Sequence, residues 1–130
     1  MLLPPGAPGM FSTAEAAGAS GPKLMAISPS NNATGVSTNT NLTLTFDEPV
    51  KVGTGLAAVT IRRVSDNSVV ESFVTSTSNR ISISSNVVTI DPSATLEANT
   101  SYYVIVDTGA FRNEAGIDYA GLSSARDWTF

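Results

Sequence analysis

The sequence contains no cysteine and no histidine. Without cysteine there is neither a disulfide nor a thiolate metal site. Without histidine, the commonest general base and the commonest transition-metal ligand are both missing. Lysine and arginine together number seven, and only Arg62 and Arg63 adjoin. No basic face is available to neutralise a phosphate backbone, so nucleic acid is not an expected partner. Charged residues are 14% of the 130, and the net charge is −4, a mildly acidic balance that serves solubility. No apolar run approaches the roughly 18 residues that would suggest a membrane-spanning helix. The opening Met1-Leu2-Leu3-Pro4-Pro5-Gly6 has neither the basic start nor the apolar stretch of a secretory signal.

What is plentiful is Thr, Ser, Val, Asn and Ala. Branched and small polar residues with few Lys or Glu favour strands over helices. Residues 1–22 are rich in Ala, Gly, Pro and Ser, a composition that builds no core and reads as an extended arm. The arm nevertheless carries Leu2, Leu3, Met10 and Phe11. Docked on another protein chain, each would contribute at most about 1.5–3 kcal/mol. The folded domain is expected over 23–130.

From Lys23 onward the chain reads as short strands cut by turns. Leu24 to Ile27 is a first strand, ended by Ser28-Pro29. Leu42, Leu44 and Phe46 alternate with Thr43 and Thr45, which is the period of a half-buried strand. Asp47-Glu48-Pro49 stops it. Ala58–Arg63 and Ser68–Val74 read as a hairpin around Asp66-Asn67, and Ile81–Ile83 and Val88–Ile90 as another around Ser84-Ser85-Asn86. Ser101–Val106 is the strongest strand, with Tyr102, Val104 and Val106 on one face. Phe111–Gly121 reads as an irregular excursion, and Arg126–Phe130 as the last strand. Strands recurring about every 8–12 residues predict an all-β, antiparallel Greek-key sandwich of about seven or eight strands. Phe46, Trp128 and Phe130 are expected in the core. Tyr102, opening a late strand, suits a tyrosine corner, its ring buried and its hydroxyl bonded to upstream backbone.

Several segments resemble the SbsA-type bacterial Ig-like domain. They are Ile27-Ser28-Pro29 with Asn31-Asn32-Ala33-Thr34-Gly35-Val36, then Leu42-Thr43-Leu44-Thr45-Phe46-Asp47-Glu48-Pro49-Val50. Val88-Thr89-Ile90-Asp91-Pro92, Leu96-Glu97-Ala98-Asn99-Thr100-Ser101-Tyr102, Asn113-Glu114-Ala115-Gly116 and Trp128-Thr129-Phe130 complete the set. The resemblance covers about residues 25–130. It implies an Ig-like β-sandwich of the kind found in surface-layer proteins and adhesins, a structural and binding module and not an enzyme. The chain departs from the family pattern at Asn113, where the family carries Asp, and at Ile117, where it carries Asn.

For chemistry, the sequence offers little. The carboxylates are scattered, and Asp47-Glu48, the only adjacent pair, would point to opposite faces of a strand. No nucleophile motif, phosphate loop or metalloprotease helix is present, so no catalytic residue and no cofactor is expected. Calcium takes oxygen ligands alone. Asp47 and Glu48 would form a calcium site with Asp107, Asn113 or Asp118 if their loops converge; otherwise these are turn residues in water. Asn32, Asn41 and Asn99 each head an Asn-x-Ser/Thr triplet, as chance provides in so Asn-, Ser- and Thr-rich a chain.

Three functional classes follow. The first is a decoration or cement subunit of an assembled particle such as a phage virion, held to other chains through the arm. The second is an Ig-like module of a cell-surface adhesin or surface-layer protein. The third is a module binding cell-surface carbohydrate, which needs exposed aromatic rings and has Tyr103 and Tyr119 as candidates. The expected location is a virion or an extracellular, cell-surface assembly.

Overall fold

The computed structural model describes residues 21–130. Leu2, Leu3, Met10 and Phe11 of the arm lie outside the described residues. The described chain has nine strands and no helix: β1 Leu24–Ser28, β2 Leu42–Phe46, β3 Val50–Val52, β4 Ala58–Arg63, β5 Val69–Val74, β6 Ile81–Ser84, β7 Val87–Ile90, β8 Tyr102–Val106 and β9 Phe111–Asn113.

All pairings are antiparallel. One sheet has the order β1-β2-β7-β6 and the other β5-β4-β8. Beyond β8 the chain end continues the second sheet: Tyr102 and Phe130 exchange both backbone hydrogen bonds, and Val104 N–H donates to the Trp128 carbonyl. The first sheet therefore reads A-B-E-D and the second C′-C-F-G, the strand order of an immunoglobulin sandwich. The chain crosses between sheets after β2, β5 and β7, while β4–β5 and β6–β7 are tight hairpins.

Alternation decides what lies between the sheets. Leu42, Leu44 and Phe46 of β2 are buried while Thr43 and Thr45 are half-buried. Val88 and Ile90 join them from β7. Val59 and Ile61 of β4, Phe73 of β5, and Tyr102, Val104 and Val106 of β8 come from the other sheet, with Trp128 and Phe130 from the chain end. Trp128 is fully buried, and its indole N–H donates to the Pro29 carbonyl at 2.8 Å.

Two short strands were not expected. Val50–Val52 and Phe111–Asn113 pair as a separate two-stranded sheet, and Phe111–Tyr119 is a hairpin bridged at Arg112 and Asp118. The excursion read as irregular is thus ordered, and closes the pole of the sandwich at which β2 and β8 end. Phe46 meets Phe111 at 5.9 Å and Tyr119 at 5.0 Å, the latter edge-on. Arg126–Phe130, read as a strand, opens in a turn at Arg126 and Asp127; only Trp128–Phe130 runs along β8, and there Thr129 forms a bridge with Tyr103.

Two features test this packing. Gly121 has φ +95°, and a Cβ there would sit 2.3 Å from the Val106 carbonyl oxygen. Gly55 lies in open space with an ordinary φ. Gly121→Ala should lose about 2 kcal/mol or more and lower the melting temperature by roughly 8 °C. Gly55→Ala should stay within about 0.5 kcal/mol of wild type.

Glu71 is the second. Its carboxylate accepts from the Ser93 hydroxyl at 2.7 Å, the Ser93 N–H at 3.2 Å and the Ala94 N–H at 2.9 Å, tying β5 to the β7–β8 connection. Burial alone would raise its pKa. The bonds from Ser93 and Ala94, with the Arg80 charge, outweigh that and hold it below its ordinary value. A lowered folded pKa means this stabilisation is full above the unfolded value and is lost as pH falls through the folded one. Glu71→Gln should therefore cost about 1 kcal/mol at pH 7, a figure discounted for partial exposure. In melting curves against pH, the gap from wild type should close below about pH 4, since the unfolded glutamate pKa is near 4.3.

Candidate functional site

Asp47, Glu48, Asp107, Asn113 and Asp118 all fall at the pole where β2, β8 and β9 end. Asp47 Oδ1 accepts from the Lys23 N–H at 2.9 Å, and its own N–H donates to the Lys23 carbonyl. Asp107 Oδ2 accepts from the Ala58 N–H at 3.0 Å, while the Asp107 N–H donates to the Ala58 carbonyl at 2.9 Å. This reciprocal pair fixes the end of β8 to the start of β4. Asp118 Oδ1 lies 3.3 Å from an Arg112 guanidinium nitrogen. Asn113 is buried; its Oδ1 accepts from the Ile117 N–H at 2.9 Å and its Nδ2 donates to Glu48 at 3.4 Å.

The structure thus brings Glu48 to Asn113 and gives Asp47, Asp107 and Asp118 separate partners. Among the described residues no group of three or more Asp or Glu side chains stands close enough to hold a metal ion. Asp47, Asp107 and Asn113 stand at strand ends, and a backbone N–H engages one side-chain oxygen of each.

The opposite pole holds a groove of about 370 Å³ between residues 33–38 and 96–102. Its floor is Leu96, Tyr102 and Phe130, all buried. The Tyr102 ring lies 6.2 Å from that of Phe130, and its hydroxyl accepts from the Glu97 N–H at 2.8 Å. That is the geometry of a tyrosine corner. The rim is Ser, Thr and Asn, with Glu97 engaged by Arg63 at 3.2 Å. The titratable side chains lining it, Glu97 and Tyr102, are both engaged, the first by Arg63 and the second by the Glu97 N–H.

The two tyrosines proposed for a sugar platform are not exposed. Tyr103 is 7% and Tyr119 6% exposed. Tyr103 does lie on the outer face of its sheet, as alternation requires, but the β4–β5 turn folds over it: its hydroxyl donates to Asn67 Oδ1 at 2.8 Å. Tyr119 packs on Phe46 within the polar cap. Burial and the Asp127 charge push its phenol up to about 12, so it stays neutral. Every aromatic ring among the described residues is buried, so Tyr103 and Tyr119 form no exposed platform.

Sequence reasoning missed the residues that tie loops together. Asn31 Oδ1 accepts from the Thr129 N–H at 2.8 Å and its Nδ2 donates to the Arg126 carbonyl at 3.0 Å. Glu71 does comparable work at the far edge. No local pattern marks either, since the partners lie 95 and 98 residues away for Asn31 and 22 and 23 for Glu71.

A comparison with protein families matches residues 18–130 to the model of the bacterial Ig-like domain. No curated protein and no solved structure matches the chain. The A-B-E-D and C′-C-F-G strand order, the tyrosine corner and a family match over most of its length agree: the chain belongs to the bacterial Ig-like domain family.

Proposed function

We propose that the domain is a non-enzymatic structural and interaction module that works by contact with other protein chains at the surface of a particle or cell. The observation that carries this reading is the engagement of its chemistry in its own fold. Asp47, Asp107 and Glu71 bind loop backbone, Asp118 binds Arg112, and the aromatic rings of the described residues are internal. Shape and hydrogen-bonding surface are what remain to offer a partner.

In its finer form, the chain is a decoration or cement subunit of an assembled particle such as a phage virion, anchored by Leu2, Leu3, Met10 and Phe11. The support is compositional: four large apolar side chains stand in an arm too rich in Gly, Ala and Pro to bury them by itself. A second reading, an SbsA-type module of an adhesin or surface-layer protein, is favoured by the Phe46-Asp47-Glu48-Pro49-Val50 and Trp128-Thr129-Phe130 landmarks. In that case the arm is a linker.

Limited proteolysis separates the two. If the arm anchors, residues 1–22 are cut rapidly in the free chain and protected in the assembled one. Replacing Leu2, Leu3, Met10 and Phe11 together by Ser should then abolish co-sedimentation with the particle and leave the melting temperature unchanged. Rapid cleavage without loss of incorporation refutes the anchoring arm.

No resident metal is expected. A calcium site with Kd near 10⁻⁴ M would add about 2.7 kcal/mol at 10 mM Ca²⁺. We expect no measurable shift in melting temperature on adding 10 mM Ca²⁺ or EDTA, and calorimetric heat with saturation on Ca²⁺ titration contradicts this.

A further inference from the structure

A strand at a sheet edge presents a row of unpaired N–H and C=O groups that template pairing with another chain. The two main sheets have four such edges, and three are blocked. At β1 the register slips between Leu24 and Ala26, which bulges Met25. At β5 the register slips opposite Ile61 and Arg62, and Glu71 is held against Ser93 and Ala94. Beyond β8 the edge is taken by the chain end, itself held by Asn31 and by the Asn32 N–H.

The fourth edge, β6, has no such device among the described residues. Ile81-Ser82-Ile83-Ser84 pairs with β7 in unbroken register. It contains no proline and no charge. Ile81 and Ile83 are half-buried, and Ser82 and Ser84 are exposed. An open hollow of about 310 Å³ lies beside it, lined by Asn79, Arg80, Ile81, Ser82 and Asp91.

We propose that β6 is a self-pairing edge, joining a second copy of this chain by antiparallel pairing of β6 with β6 about a two-fold axis at Ser82. Period-two alternation sets the register. With Ser82 opposite the partner's Ser82, Ile81 stands opposite the partner's Ile83, and every isoleucine stays on the core-facing side. The order β1-β2-β7-β6 then runs on through the copy as one eight-stranded sheet. Charge permits this: Arg80 falls opposite the partner's Ser84, so the two Arg80 residues are about 13 Å apart along the strands. That exceeds the Debye length of about 8 Å at physiological salt, and each Arg80 also has Asp91 at 3.7 Å. A charged partner strand would need a complement that β6 lacks, whereas a copy of the neutral edge meets nothing it repels.

Four residues of paired strand bury less than the roughly 1,000 Å² expected of a stable interface. The pairing is therefore weak in dilute solution and becomes firm where copies are already concentrated, as on a surface. It does not depend on the N-terminal arm.

Sedimentation velocity of the full chain between roughly 10 µM and 1 mM tests it. The weight-average sedimentation coefficient should rise across that range. Ser82→Lys sets two like charges directly opposite at an exposed position. It should abolish the rise with the melting temperature unchanged. In a chain without cysteine, Ser82→Cys should oxidise to a covalent dimer at least tenfold faster than Ser72→Cys on the blocked β5 edge. A flat sedimentation profile, self-association that survives Ser82→Lys, or equal cross-linking of the two thiols overturns the proposal. The second result would place association elsewhere, the arm included.

Discussion

Closure of the two sheets depends on the last few residues of the chain, and above all on Trp128. The indole fills the space between the sheets and donates its one hydrogen bond to the Pro29 carbonyl, at the exit of β1, 99 residues away in sequence. Thr129 bonds Asn31 on the same side, and Phe130 completes the wall beside Tyr102. The sandwich therefore cannot close until its last residues return to its first strand. A topology with so many distant partners carries a large loop-closure entropy, and folds of this kind are slow for that reason.

A second constraint is the absence of cysteine. In antibody domains an inter-sheet disulfide joins strands B and F, with the second cysteine two residues after the corner tyrosine. Here that place is Val104, fully buried, and packing and hydrogen bonds hold the sheets together with no covalent link. Rigidity at the ends comes instead from side chains reaching to backbone: Asp107 to Ala58, Asn86 to Phe46, Asn31 to Arg126 and Thr129, and Tyr102 to Glu97. Each bond is worth only about 0.5–1.5 kcal/mol net, but each also satisfies a strand-end group that would otherwise be left unpaired near the core.

Much of this was legible in sequence, and the misses share a cause. Leu42-Thr43-Leu44-Thr45-Phe46 shows its strand outright, because one face of β2 is core and the other is half covered. Tyr102 was legible from its place at the head of a strand. β3 and β9 were not, since strands of three residues are too short to display a period. Tyr103 was assigned the correct face and the wrong environment: alternation tells which side a residue points to, but not that Asn67 from a neighbouring turn covers it. Whether Asp47, Glu48, Asp107, Asn113 and Asp118 would meet was left to the loops, and the structure brings them to one pole with separate partners. Proximity of strand ends follows from topology, whereas the direction of each carboxylate follows from its local partner, a backbone amide for Asp47 and Asp107 and a guanidinium for Asp118.

The edges carry this logic to the surface. A sandwich that satisfies its own loops and buries its aromatic rings has few ways left to bind anything, and backbone at a sheet edge is the strongest of them. Closing three edges by bulges, an inward carboxylate and a returning chain end leaves recognition concentrated on β6. There the alternation that builds the core also fixes the register: a slip of one residue would turn Ile81 and Ile83 towards water and Ser82 towards the core. Even a short, weak pairing is then specific in geometry, a property that suits a module whose copies meet many times on one surface.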